Sequence, residues 1–159
     1  MLRIITVGKL KKRDTQSMID TYTKRLRAPY VIDFCDVKIS KSKEIPRVKA
    51  EEGKAIFAKI GKDFAAGKAT KDFVIALHEK GEHLSSVQFS QQLKKWMDAG
   101  KNVSFVIGGA AGLSDEVLEK AGKKISLSEM TLPHELALLV LVEQIYRAMT
   151  IDTGIPYHK

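Results

Sequence analysis

Residues 102–122 read "NVSFVIGGAAGLSDEVLEKAG". The first six, rich in β-branched and aromatic residues, predict a strand buried inside a sheet. Two adjacent glycines, Gly108 and Gly109, then break the pattern. Ser114 follows as a helix N-cap, with Asp115 and Glu116 in the first turn, where the positive end of the helix dipole favours acidic side chains. A buried strand, a glycine loop and a capped helix in this order are a building unit of α/β proteins.

The units on either side repeat the alternation. "LRIITV" and "YVIDFCDVKI" predict two strands, with Met18, Ile19, Tyr22 and Leu26 at helical spacing between them. "IPRVKAEEGKAIFAKI" predicts a helix with Val48, Ile56, Phe57 and Ile60 inward, and residues 61 to 71 end it. "DFVIAL" is a third strand. Ser85 and Gln88 form a capping box for a helix through Asp98, closed by Gly100. After the opening stretch comes a short strand, "KISLS", and then the helix "PHELALLVLVEQIYRAM", with Pro133 suited to its first turn. Its stretch 136–142 is apolar on every side, so this helix needs cover on more than one face, which in so short a chain calls for a second subunit. The fold class is therefore α/β: one domain over 1–159 built on a mainly parallel sheet with helices on both faces. Ligands are expected beyond the carboxyl ends of its strands.

Composition narrows the function. No stretch approaches the roughly 18 to 20 apolar residues of a membrane helix. The opening "MLRIITVGKLKKR" reads as a first strand rather than a signal peptide. One cysteine, Cys35, excludes an internal disulfide, which suits the cytoplasm, and it reads as a packed strand thiol. The net charge of +8 is unevenly placed. Residues 1–71 hold 18 Lys/Arg against 8 Asp/Glu, a net of +10, while 72–159 hold 9 against 11, a net of −2. The front half is thus the candidate polyanion face, through phosphate contacts and counterion release.

Three loops leave the carboxyl ends of the later strands: "LHEKGEH" after 77, "GGAAGL" after 107 and "SEMTLPH" after 127. Gly108 and Gly109 let backbone approach a ligand, yet "GGAAG" lacks both a dinucleotide fingerprint and a phosphate-loop lysine. The histidines His78, His83, His134 and His158 have no Cys or carboxylate partners at ligand spacing, so no metal is expected. His134 reads as a hydrogen-bonded structural residue at a helix start. The chain ends on "TGIPYHK", which sets an aromatic, an imidazole and an ammonium side by side.

The ordered set "ITVGKLK", "VIGGAAGL", "SLSEMTLPHELALLVLVEQIYRA" and terminal "PYHK" resembles, over essentially the whole chain, the SPOUT-class ribosomal RNA large subunit methyltransferase H family. Members of that family methylate N3 of a pseudouridine in 23S rRNA. The resemblance implies S-adenosyl-L-methionine as methyl donor, a homodimer, a C-terminal trefoil knot, and 23S rRNA within the large subunit or ribosome as partner, with neither DNA nor membrane involved. It places the cofactor pocket on Leu77, Gly108, Gly109, Leu127, Ser128, Glu129, Met130, Thr131 and Leu132. The tail is implied to build the substrate side, next to the partner subunit's cofactor. There His158 is the candidate base, Tyr157 orients or stacks on the target base, Lys159 holds phosphate or an anion, and Arg147 contacts phosphate or the cofactor carboxylate. The chain departs from the family at Leu138, where members often carry arginine, and at Glu135, where they carry a neutral residue. Two other readings remain beside this one: a catalytically silent rRNA-binding assembly protein of the same fold, and a small-molecule enzyme using a nucleotide cofactor.

Overall fold

The structure is a computed structural model that describes residues 1–158; Lys159 lies outside the described residues. Five strands, β1 (Leu2–Val7), β2 (Ile32–Val37), β3 (Asp72–His83), β4 (Asn102–Ile107) and β5 (Lys123–Ser126), form one sheet in the order β2-β1-β4-β3-β5. Every ladder is parallel. Six helices complete the fold: α1 (Arg13–Thr23), α2 (Ile45–Ile60), α3 (Lys62–Ala65), α4 (Ser86–Asp98), α5 (Asp115–Lys120) and α6 (His134–Thr153).

Alternation along the strands sends side chains to two cores, because successive residues of a strand point to opposite faces. Leu2, Ile4, Ile75, Val103 and Phe105 pack with α6 residues such as Leu141 and Ile145 on one face. Ile5, Val7, Val74, Ala76 and Val106 pack with Ile56, Phe57 and Val117 of α2 and α5 on the other. The central strands β1 and β4 and the first half of β3 are buried on both sides, and their near-continuous apolar reading follows from that.

The capping box of α4 is present, with Ser85 Oγ accepting from the Gln88 N–H and Gln88 Oε1 accepting from the Ser85 N–H. Ser114 caps α5 by accepting from the Val117 N–H. Several boundaries differ from expectation. Residues 61–71 contain the short helix α3, α1 ends before Leu26, β2 is confined to Ile32–Val37, and β5 runs Lys123–Ser126. Val48 is only half-buried. α6 continues four residues past Met149, until Gly154 in the left-handed region (φ 70°) ends it, and Pro133 precedes the helix as its N-cap instead of lying in its first turn.

The largest difference is in β3. Its expected end at Leu77 is a register break: Leu77 and Glu82 both lie opposite Ile125, and residues between them bulge before the strand resumes to His83. Glu82 pairs with Lys123 of β5, and Gly81 rests on β5, where a Cβ would come 2.4 Å from the Ile125 carbonyl carbon. Long-range contacts hold this polar stretch in the sheet, and nothing in its own sequence signals them.

Candidate active site

In a parallel sheet every strand points the same way, so every loop after a strand emerges on one edge. The order β2-β1-β4-β3-β5 divides that edge into two halves. On one side, Val7 of β1 and Val37 of β2 are in register, and the Gly8 N–H bonds the Val37 carbonyl at 2.8 Å. Two lysine loops leave from there. They carry Lys9, Lys11, Lys12 and Arg13 after β1 and Lys38, Lys41 and Lys43 after β2, all exposed.

On the other side, the register break within β3 and the turns after β4 and β5 enclose a cleft of about 750 Å³. Leu77, Gly108, Gly109, Leu127, Ser128, Glu129, Met130, Thr131 and Leu132 all line it. Local hydrogen bonds shape each wall. The glycine loop turns through the Gly112 N–H to the Gly109 carbonyl at 2.9 Å, with Gly112 at φ 78°. The 127–132 loop is folded by Ser126 Oγ donating to the Ser128 carbonyl (2.8 Å) and by Ser128 Oγ accepting from the Met130 N–H (2.9 Å). His134 joins the two loops, its Nδ1 lying 3.2 Å from the Gly108 carbonyl. A carbonyl only accepts, so Nδ1 carries a proton toward it, while the buried Nε2 has no partner. The expectation of a hydrogen-bonded structural His134 therefore holds for one nitrogen.

The two glycines are needed on the protein side. A Cβ on Gly108 would come 3.0 Å from the Leu113 nitrogen, and one on Gly109 would come 3.0 Å from Val7 Cγ1. The cleft suits an adenosyl-type ligand. Its volume lies in the usual range for a cofactor site, and apolar residues Leu77, Leu113, Ile125 and Leu132 line it together with the glycine loop and 127–132. Lys49 of α2 also lines it and was not singled out from sequence.

Arg147, Tyr157 and His158 do not line this cleft. They gather around Glu143 on α6. Glu143 Oε1 accepts from Tyr157 Oη at 2.9 Å and from Arg147 Nε and Nη2 at 3.1 and 2.5 Å. The Arg147 guanidinium lies 4.7 Å over the Tyr157 ring, which packs edge-on against Tyr146 at 4.9 Å. Burial, the neighbouring Tyr22 hydroxyl and the Glu143 carboxylate push the Tyr157 phenol well above the usual tyrosine range, so it stays protonated. The hydrogen bond to Glu143 holds Arg147 above even its ordinary range. His158 Nδ1 lies 3.3 Å from Arg147 Nη1. Arginine only donates, so the Nδ1 lone pair is engaged and the imidazole proton sits on Nε2. Glu143, which anchors the cluster, was not singled out from sequence, although its i, i+4 spacing to Arg147 marks an ion pair.

Cys35 is half-buried in β2, and burial followed by the Asp33 carboxylate raises its thiol, as fits a packing role. Glu135 has a structural role: its Oε1 accepts the Lys11 N–H at 2.8 Å and so fixes the first lysine loop to the start of α6. Leu138 is buried at 2% exposure in the α6 core, where it packs as an apolar residue. No cluster of His, Cys, Asp or Glu among the described residues could hold a metal ion, and no helix among them is long and apolar enough to cross a membrane.

A family profile described as "Predicted SPOUT methyltransferase" matches residues 1–158. The chain belongs to that family. Methyl transfer is the class of chemistry that membership assigns to the SPOUT chain. It is similar to proteins named ribosomal RNA large subunit methyltransferase H: 40% identical over 159 residues to the one from Anaeromyxobacter dehalogenans strain 2CP-C, with 99% of each chain covered. Another, from Exiguobacterium sp. strain AT1b, is 43% identical over 165 residues, again with 99% of each covered. Among solved structures, a probable methylase family protein from Haemophilus influenzae Rd KW20 matches with a TM-score of 0.58 at 14% identity, covering 99% of this chain and 70% of that one. That likeness speaks for the α/β fold alone.

Proposed function

We propose that this SPOUT protein methylates ribosomal RNA of the large subunit, as its relatives' names state of them, with S-adenosyl-L-methionine as donor and N3 of a 23S rRNA pseudouridine as acceptor. The observation that carries this reading is the divided sheet edge. An adenosyl-sized cleft on β4, β3 and β5 stands beside two lysine loops on β1 and β2, within one face.

When bound, the donor supplies a methyl group already activated by its sulfonium charge, and positioning of the acceptor then provides much of the acceleration. Leu77, Leu127 and Leu132 supply apolar walls, and the backbone of 108–109 and 128–131 supplies donors and acceptors. The lysine loops hold phosphates. Tyr157 keeps its proton and so acts as a donor or stacking surface. His158 presents its Nε2–H while Arg147 engages Nδ1; removal of the N3 proton by His158 requires Arg147 to turn away first. Lys159 adds a cation beyond the described residues.

Because the tail cluster and the cleft are separate in one chain, the complete site requires a homodimer in which one subunit's tail covers the other's cleft. The exposure of Leu136 (42%) and Met130 (78%) beside the cleft supports such a contact. A C-terminal trefoil knot belongs to the same reading. It is supported by the loop of 78–82 over Ile125 just before the chain enters 127–132 and α6.

The separation of tail and cleft also favours a second reading, an RNA-binding assembly protein of the same fold without catalysis. Purified chain with labelled donor and each ribosomal particle decides between them. Label transferred to one pseudouridine supports the enzyme; salt-dependent particle binding without label supports the silent protein.

A further inference from the structure

Glu52 of α2 is the one charged side chain among the described residues that is fully withdrawn from water, with 3% exposed. Its carboxylate reaches toward two loops. Oε1 accepts the Ser40 N–H at 3.1 Å, within the lysine loop after β2. Oε2 has no hydrogen-bond partner. It lies against the glycine loop, where a Cβ on Gly109 would stand 3.2 Å away. None of the ion pairs among the described residues includes Glu52.

A buried carboxylate oxygen without a donor is among the costliest groups a core can hold. The surroundings are built to keep it there. Gly53 lets α2 close on the N-cap of α5, since a Cβ there would be 2.6 Å from Ser114 Oγ. Gly109 has no positive φ, so its missing side chain serves the close approach to Val7 and Glu52 and not a turn. The backbone N–H groups of 109–111 are the donors this neighbouring loop can offer. These belong to the loop that walls the cofactor cleft.

We propose that Glu52 is a positioning residue for the methyl donor. When S-adenosyl-L-methionine enters the cleft, the glycine loop closes so that a backbone N–H of 109–111 donates to Glu52 Oε2, while Oε1 keeps hold of Ser40. One side chain thereby sets both the cofactor loop and the adjoining lysine loop. The inference rests on the cofactor reading above.

Glu52→Gln tests it in the full-length chain. The amide oxygen still accepts from Ser40, but the amide nitrogen presents a donor where the loop needs an acceptor. Titration calorimetry with S-adenosyl-L-methionine is combined with amide hydrogen exchange of the 105–113 segment, with and without that ligand. The wild-type chain binds and gains protection at 109–111. Glu52→Gln binds roughly tenfold or more weakly, the scale of one hydrogen bond to a charged group, and gains no protection there. Equal affinity with equal protection overturns the proposal. If the glutamine variant fails to fold, Glu52→Asp is read the same way, because its shortened carboxylate retreats from the loop and undiminished binding would again overturn it. A wild-type chain that binds no donor defeats the cofactor reading itself, a separate result.

Discussion

Glu143→Ala separates the two halves of the site most sharply. In the folded chain a single oxygen, Glu143 Oε1, receives Tyr157 Oη and two nitrogens of Arg147. The side chains are partly covered, at 24% exposure for Arg147 and 18% for Glu143. Hydrogen bonds to a charged group contribute about 1.5 to 3 kcal/mol when well shielded, and exposed ion pairs contribute about 0.2 to 1 kcal/mol. The ring contacts of Tyr157 with Arg147 and Tyr146 survive the substitution. Together these put the loss of tail docking at about 2 kcal/mol, or a shift of about 30-fold toward the undocked tail. Glu143 does not line the cleft, so calorimetry should find donor affinity within about twofold of wild type, while single-turnover methylation of ribosomal particles falls by about 30-fold. Glu143→Gln, which keeps an acceptor for Tyr157 but not the charge for Arg147, should fall between. Unchanged methylation would refute the role of the docked tail, and a donor affinity that falls in step with activity would refute the separation of the two halves.

Four further outcomes are expected. Deleting residues 157–159 should leave donor affinity nearly intact and abolish methylation, read by the same pair of assays. Leu139→Glu, at a half-buried position of α6, should lose dimer and activity together, with sedimentation reporting the dimer; a fully active monomer would count against the shared site. Gly81→Ala should lower the thermal midpoint, because its Cβ would stand 2.4 Å from the Ile125 backbone and such overpacking costs about 1 to 3 kcal/mol. Burial and then the Asp152 hydrogen bond raise the Tyr30 phenol above its usual range, as burial does for Tyr157. Both pKa values are higher folded than unfolded, so their stabilisation is complete below about pH 10, where free tyrosine titrates, and is lost as pH rises further. Denaturant midpoints measured across that range should fall, less steeply in Tyr30→Phe.

What could be read ahead of the structure follows from how far each signal reaches along the chain. Helix caps such as Ser85 with Gln88 and Ser114 act over three residues, and both formed as their local chemistry dictates. That the expected residues share one cleft was legible for a different reason. Parallel strands place their following loops on one edge in any order, so grouping Leu77, Gly108 and 127–132 did not require knowing that β3 lies between β4 and β5. The strand order itself, and the return of 82–83 to the sheet, depend on pairs such as Glu82 with Lys123 that lie about 40 residues apart, and no local period encodes them. Glu52 was hidden for the same reason. In "KAEEGKAIF" it is one acid among charged neighbours, and only the approach of Ser40 and Gly109 from two other loops makes it a buried carboxylate with an oxygen to spare. Side chains whose chemistry depends on burial are thus decided by partners distant in sequence, which is why Glu52 could not be told from the other acids of its helix.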